Sequence, residues 1–410
     1  MQSEFDVAIV GAGAAGLAAA HRLAEAPLSL VVLEARERAG GRAHSVSPGG
    51  RWPIDLGCGW LHSADVNPFA RMAEGLGFTV DKTPPPWMKQ SGLQDVTAEE
   101  IAAFRRDFDA LEKRLEAAAA SGADRPASEL LDPGSPFNGA FNAFSAAYNG
   151  AEFDRVSVLD YAAYEDSGVN WRVVEGYGAL VAAAGAGAPV ALGAAVTAID
   201  HSAGPVRLST ARGEVRARAV IVTLPTDVLA EGRVAFSPAL PDKLGAAEGL
   251  PLGVADKAFL TLDGAEELPA DGHFFRRLDR RETGSYHLRP FGRPLIEVYF
   301  GGRLAEGLET EGEGAFCAFA IEELVELLGS SWRARLRPIA STAWNADPWS
   351  RGAYSHALPG CAGNRARLAE PVDGRLFFAG EATSPHAFST AHGAWESGVR
   401  AAEEALAALR

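Results

Sequence analysis

Cysteine is scarce in this chain. Its 410 residues hold three, Cys58, Cys317 and Cys361, far apart and without metal-ligand spacing. That argues against a disulfide framework and for a reducing compartment. No apolar run approaches the ~20 residues that a membrane-spanning helix needs. The opening MQSEF is short and acidic and leads straight into a strand, with no sign of a signal peptide. The expectation is a soluble, cytoplasmic protein with no membrane partner. Basic residues are outnumbered, 38 against 53 acidic ones, and the formal charge of −15 disfavours nucleic acid, whose phosphates need clustered Lys and Arg. Such acidity would steer cationic ligands. The nine histidines show neither H-x-x-H nor H-E-x-x-H spacing, so no metal site is expected. Internal repeats and low-complexity linkers are also missing.

What is present is ample apolar material, 47% of residues, and a length that suggests two domains. Residues 5–80 open as a β-α-β unit. "TAEEIAAFRRDFDALEKRLEAAAA" (97–120) has helical apolar spacing, with Thr97 and Glu100 as a capping box. "DPGSPFNG" marks a loop within 121–175. "PVALGAAVTAIDHSAGPVRLSTARGEVRARAVIVTLP" alternates apolar and polar residues, with turns at Ala203-Gly204 and Arg212-Gly213. "KAFLTLD" and "LIEVYF" read as strands and "GAFCAFAIEELVELLG" as a helix. "GRLFFAGEA" reads as a buried strand before the terminal helix "AHGAWESGVRAAEEALAAL". The fold class is α/β (α+β). A Rossmann-like domain from 1–80, 174–250 and 338–410 interleaves with a sheet-plus-helices domain from 81–173 and 251–337.

Gly11, Gly13 and Gly16 form G-x-G-x-x-G between strand and helix. The first permits the tight turn, the second lets the backbone approach a pyrophosphate, and the third allows close helix–strand packing. The helix N-terminus, at Ala14 and Ala15, offers amides to phosphate. Glu34 ends the next strand, where its carboxylate would accept ribose hydroxyls and repel a 2′-phosphate. These features fit NAD or FAD. The continuation decides for FAD: after Ala35 and Arg36 comes a second glycine turn, Gly40-Gly41-Arg42, for which a plain NAD domain has no use. No second dinucleotide fingerprint follows, since "GAGAP" (185–189) trails a helix and lacks the third glycine. Reoxidation by O2 or another acceptor is therefore expected rather than by a pyridine nucleotide.

With Glu34, Gly40-Gly41-Arg42 and "FFAGEAT" the chain resembles the flavin-containing amine oxidases, nearer the polyamine oxidase branch. The resemblance implies that "DLGCGWLHS" lies beside the flavin, bringing Gly57, Gly59 and Trp60. It implies that the strand "GAAVTAID" receives the adenine at Val196, and that Gly380 and Glu381 serve the ribityl region. Thr390 and Ala391 would meet the pyrimidine end. Lys257, in "LGVADKAFLTLD", would be the catalytic residue that holds a water against N5 and assists reoxidation. Tyr354 would be one wall of an aromatic cage, with Trp344 packed near the ring system. The second wall falls on Thr390, so Phe388, Trp349 or Trp60 would supply the missing aromatic surface. Ala353 stands where monoamine oxidases carry the flavin-bonding cysteine, so FAD should be held non-covalently. His62, titrating near neutrality, would bind a distal amine.

The implied reaction moves a hydride equivalent from the carbon beside an amine nitrogen to FAD, with O2 or another acceptor taking the electrons. The substrate would be a small amine or polyamine, and a homodimer stays open. Rivals are an L-amino-acid oxidase, with Arg172 or Arg276 clamping a carboxylate, a carotenoid-desaturase-like oxidoreductase, and a flavin-free binding module of the same fold.

Overall fold

The computed structural model describes residues 3–88, 96–274, 278 and 280–410. The strand Glu4–Val10 lies inside an eight-stranded sheet, parallel to Gly213–Val222 on one side and Leu30–Leu33 on the other. Val190–Ala191 adds a parallel edge beyond Leu30–Leu33. Side chains alternate across the sheet: Val7 and Ile9 enter one apolar cluster, Ala8 and Val10 another. Both faces are covered, as a parallel sheet requires.

The long strand Gly213–Val222 changes partners along its length. Its first half pairs antiparallel with Val206–Thr210, which leads on to Val196–Asp200 and Ala235–Ser237. Its second half pairs parallel with Leu376–Phe378. The expected turns fall in the gaps 201–205 and 211–212. One face is closed by helices Ala14–Leu23 and Ala391–Ala408. They cross so closely that a Cβ on Gly398 would lie 2.0 Å from the carbonyl oxygen of Ala15. The third motif glycine acts as expected, since a Cβ on Gly16 would lie 1.9 Å from the Gly11 carbonyl oxygen.

The second sheet is antiparallel, in the order Gly272–Phe274, Ser285–Leu288, Leu295–Gly301, Ala255–Leu262, Leu336–Ser341. Helices Gly302–Glu311 and Ala315–Leu328 pack on it around Phe300, Phe316 and Leu324. Leu336–Ser341, which spans position 338, pairs with Ala255–Leu262 in this sheet. Helix Ala98–Ala120 forms with its capping box complete and packs with Asn138–Asn149 around Leu111, Leu115 and Phe141. Between the sheets, Ile54 meets Phe259 and Leu295, and Trp344 meets Ala255 and Ala353.

The helix crossing is testable. Gly398→Ala should lower stability by about 1–3 kcal/mol through overpacking, seen as a fall in Tm. Gly245→Ala, in an exposed helix position with nothing near its Cβ, should raise stability by about 0.5–1 kcal/mol. Equal behaviour of the two variants would refute the close-crossing account.

Candidate active site

A cavity of about 770 Å³ takes its walls from both sheets. Apart from Gly16, every residue assigned above to FAD or to an amine substrate lines it. One end is the glycine turn. Gly11 has φ +103°, and a Cβ there would meet the Thr223 hydroxyl at 2.6 Å, so only glycine suits both backbone and space. The buried carboxylate of Glu34 accepts from the amides of Ala12 (2.7 Å) and Arg36 (2.8 Å). It therefore braces the turn as well as presenting an acid to the cavity.

The segment 344–352 folds back to this end. Arg36 pairs with Asp347 at 2.5 Å and donates to Ser350 Oγ at 2.8 Å, while the amide of Trp349 donates to Asp347. Trp349, expected to supply aromatic surface to the substrate, lines the cavity and is 40% exposed, on a segment fixed by the Arg36–Asp347 pair.

Midway along, Arg42 donates to the Ala353 carbonyl (2.6 Å) and to Glu381 (3.0 Å). The other oxygen of Glu381 accepts from Ser355 Oγ (2.6 Å) and the Ser389 amide (2.9 Å). Burial alone would raise the Glu381 carboxyl; Arg42, the Ser355 hydroxyl and Arg365 outweigh it and hold the group below its ordinary range. The charge of this acid is thus matched within the protein. Thr390 caps helix Ala391–Ala408, accepting from the Gly393 amide at 3.0 Å and donating to the Ala387 carbonyl at 2.6 Å.

At the far end Lys257 projects from Ala255–Leu262, buried, with Nζ 2.7 Å from Glu297 and donating to the Asp55 carbonyl at 3.0 Å. The partner Glu297 comes from the adjacent strand and escaped the sequence reading, although an acid inside the apolar "LIEVYF" was a signal. Burial would raise the Glu297 carboxyl, but the charge of Lys257 beside it outweighs that and holds the group below its ordinary range. The Tyr354 hydroxyl lies 2.7 Å from that of Tyr299 and donates to the Ala147 carbonyl at 2.5 Å. Trp344 donates its indole N–H to Leu56 at 3.1 Å, and Trp60 packs edge-on to Trp87 at 4.4 Å. Phe388 carries the Arg365 guanidinium 3.6 Å over its ring.

His62 also lines the cavity. Its Nδ1 is 2.6 Å from Asn170 Oδ1, an arrangement that assigns the hydrogen to Nδ1 and leaves Nε2 as acceptor. Burial lowers its proton affinity against the opposing pull of Asn170 and Asp166. Its titration therefore lies below the ordinary histidine range, away from the neutral-pH switching expected of it. Other wall residues went unread in the sequence: Phe104, Phe108, Phe144, Tyr148, Tyr164 and Tyr299. Among the described residues no group of His, Cys, Asp and Glu could hold a metal ion, and no helix is long and apolar enough to cross a membrane.

A glycine turn at a helix N-terminus, a strand-end acid and one cavity continuing from there to Lys257 fit FAD. The family described as flavin containing amine oxidoreductase matches residues 14–128 and 86–406. This chain belongs to that family. It is 28% identical over 438 residues to polyamine oxidase 2 of Arabidopsis thaliana, covering 97% of this chain and 87% of the relative. It is 30% identical to lysine-specific histone demethylase 1 homolog 3 of Oryza sativa subsp. indica, covering 97% of this chain but 53% of that protein. Its fold is similar to that of a putrescine oxidase bound to putrescine, with TM-score 0.80, 19% identity and coverage of 98% and 99% of the two chains. It is also similar to cyclohexylamine oxidase of Brevibacterium oxydans, with TM-score 0.77, 21% identity and coverage of 99% and 100%. The protein is an FAD-dependent oxidoreductase of CH–NH or CH–NH2 groups, nearer the polyamine oxidases.

Two substitutions test this geometry. Glu297→Gln would leave the Lys257 ammonium buried without its countercharge, at a cost of about 3–5 kcal/mol, read as a large drop in Tm; an unchanged Tm would deny the pair. Glu34→Ala would unbrace the glycine turn and should weaken FAD retention at least tenfold, on the order of 1.4 kcal/mol or more, measured by titration of the apoprotein.

Proposed function

We propose that this protein is an amine oxidase that uses O2, and that Lys257 and Tyr354 form the reacting end of its cavity. The observation that carries the reading is the placement of a buried, ion-paired lysine and a tyrosine in the wall of the cavity that starts at the glycine turn. The chemistry FAD supplies when bound is uptake, at N5, of a hydride equivalent from the carbon beside the amine nitrogen; the imine left behind hydrolyses, and O2 restores the cofactor with release of H2O2.

The chain's own work is to bind, orient and keep dry. Tyr354 is fixed by Tyr299 and the Ala147 carbonyl, so its ring cannot swing and presents a set aromatic face to an amine. Lys257, anchored by Glu297 and the Asp55 carbonyl, is positioned to hold a water and to assist reoxidation. Orientation within the cavity takes the place of a strong acid or base.

A carboxylate-bearing substrate is disfavoured. Arg172, one candidate clamp, is spent on Asp81 and Asp271, each at 2.6 Å, and is not in the cavity wall; Arg276, the other, lies outside the described residues. Non-covalent FAD is supported by Ala353, which offers no thiol. Cys58, in the same wall, is a poor nucleophile, because burial and the nearby Asp55 push its thiol up to about 12.

Lys257→Met should keep its flavin while reoxidation by O2 slows at least tenfold, followed by stopped-flow absorbance; normal reoxidation would remove Lys257 from the mechanism. Acid precipitation should release all the flavin into the supernatant. An amine panel should generate H2O2, whereas a protein that reduces its flavin with no amine would end the proposal.

A further inference from the structure

Beside Lys257 on the strand Ala255–Leu262, but outside the cavity wall, is Asp256, an acid with no exposed surface. Its Oδ1 accepts from the Thr342 hydroxyl at 2.7 Å and from the Trp344 amide at 3.0 Å. The Thr342 hydroxyl oxygen in turn accepts from the Lys257 amide at 2.9 Å. Glu309, on the helix Gly302–Glu311, takes the next two amides of the same loop, Asn345 at 3.0 Å and Ala346 at 3.1 Å, one on each carboxyl oxygen. Residues 342–346 therefore hang on two carboxyl groups, and they carry Trp344 into the cavity wall.

The two acids also meet each other: Asp256 lies within hydrogen-bonding reach of the Glu309 side chain. Yet Oδ2 of Asp256 is buried, and no donor among the described residues reaches it. Carboxylates cannot hydrogen-bond one another unless one holds a proton, and at this depth two bare charges would repel. Because both Glu309 oxygens already accept amides, the proton belongs on Asp256 Oδ2 and is donated to Glu309. Burial and the Glu309 carboxyl push Asp256 up to about 8, against the Thr342 hydroxyl and the Trp344 amide. The other charges on the elements packed here are engaged elsewhere: Lys257 by Glu297, Arg303 by Glu152 and Asp154, Glu306 by Arg155, Asp347 by Arg36, Arg351 by Glu231 and Arg337 by Asp263. That leaves the proton as what joins the two acids.

Resting on the reading of Lys257 as a reacting residue, we propose that Asp256 is a positioning residue: through a proton shared with Glu309 it holds the Trp344 loop against the strand of Lys257, and loss of that proton releases the loop. The far end of the cavity thus keeps its shape while the pair is protonated and loses it in alkali, although neither acid touches substrate or cofactor.

Two readouts test this. The first is Tm against pH for the unmodified protein and for Asp256→Asn, whose amide can donate to Glu309 at every pH, each with and without FAD. An acid whose proton affinity is raised by folding stabilises fully in acid, and its contribution is lost as pH rises to the folded value. The Tm of the unmodified protein should therefore fall relative to Asp256→Asn by about 2–4 °C between about pH 5 and about pH 9. The second readout is reoxidation of photoreduced holoenzyme by O2, which needs no amine. Its rate should drop at least about threefold from about pH 7 to about pH 9, with the protein still folded, and Asp256→Asn should lack the drop. Parallel Tm curves would deny the shared proton. A flat rate profile in the unmodified protein, or a drop that persists in Asp256→Asn, would overturn the positioning role. Should Asp256→Asn fail to fold, Glu309→Gln, which also removes the facing charge, decides by the same two curves. Normal reoxidation by Lys257→Met would remove the reading of Lys257 and leave the Tm curves to judge the proton.

Discussion

Arg42 and Glu381 form a buried ion pair on which the architecture turns. The two residues are 339 positions apart, and the same guanidinium holds the Ala353 carbonyl while the same carboxylate holds Ser355 and Ser389. Three remote stretches of chain therefore converge on one matched charge in the cavity wall. Isolated, either group would be costly at that depth. Together they fix the end of the first β-α-β unit against the C-terminal block and leave between them the space in which a flavin would lie.

The cavity is organised electrostatically from end to end. The end at the glycine turn pairs Arg36 with Asp347, and midway along Arg42 pairs with Glu381. The far end keeps one internal pair, Lys257–Glu297, beside aromatic rings. Charges that must be desolvated are matched within the protein, so that a guest need not match them. Arg172 follows the same rule, matched by Asp81 and Asp271.

Signals local in sequence were legible. Gly11, Gly16, Glu34, the Thr97–Glu100 capping box and the strand of Lys257 each declare themselves within a few residues of chain. What escaped depends on register and on which face of an element meets open space. Glu297 faces Lys257 only because two antiparallel strands align that way. Phe108 and Phe144 have the spacing of core residues, and nothing in their helices says that the facing volume is empty. The loop of Trp349 is fixed by the Arg36–Asp347 pair, a contact between residues 311 positions apart that no local pattern shows. Thr390, read as the site of a missing aromatic, also serves as a helix cap.

The strand Gly213–Val222 is bounded by Glu4–Val10 from the beginning of the chain and Leu376–Phe378 from near its end. On the ribosome, the first β-α-β unit emerges long before Gly213–Val222 and Leu376–Phe378 and must wait for both. Until the helix Ala391–Ala408 is made, the apolar flank of Ala14–Leu23 has no cover. High contact order of this kind slows folding and prolongs exposure of sticky surface. The order of synthesis therefore leaves the central sheet open until nearly the whole chain has been made.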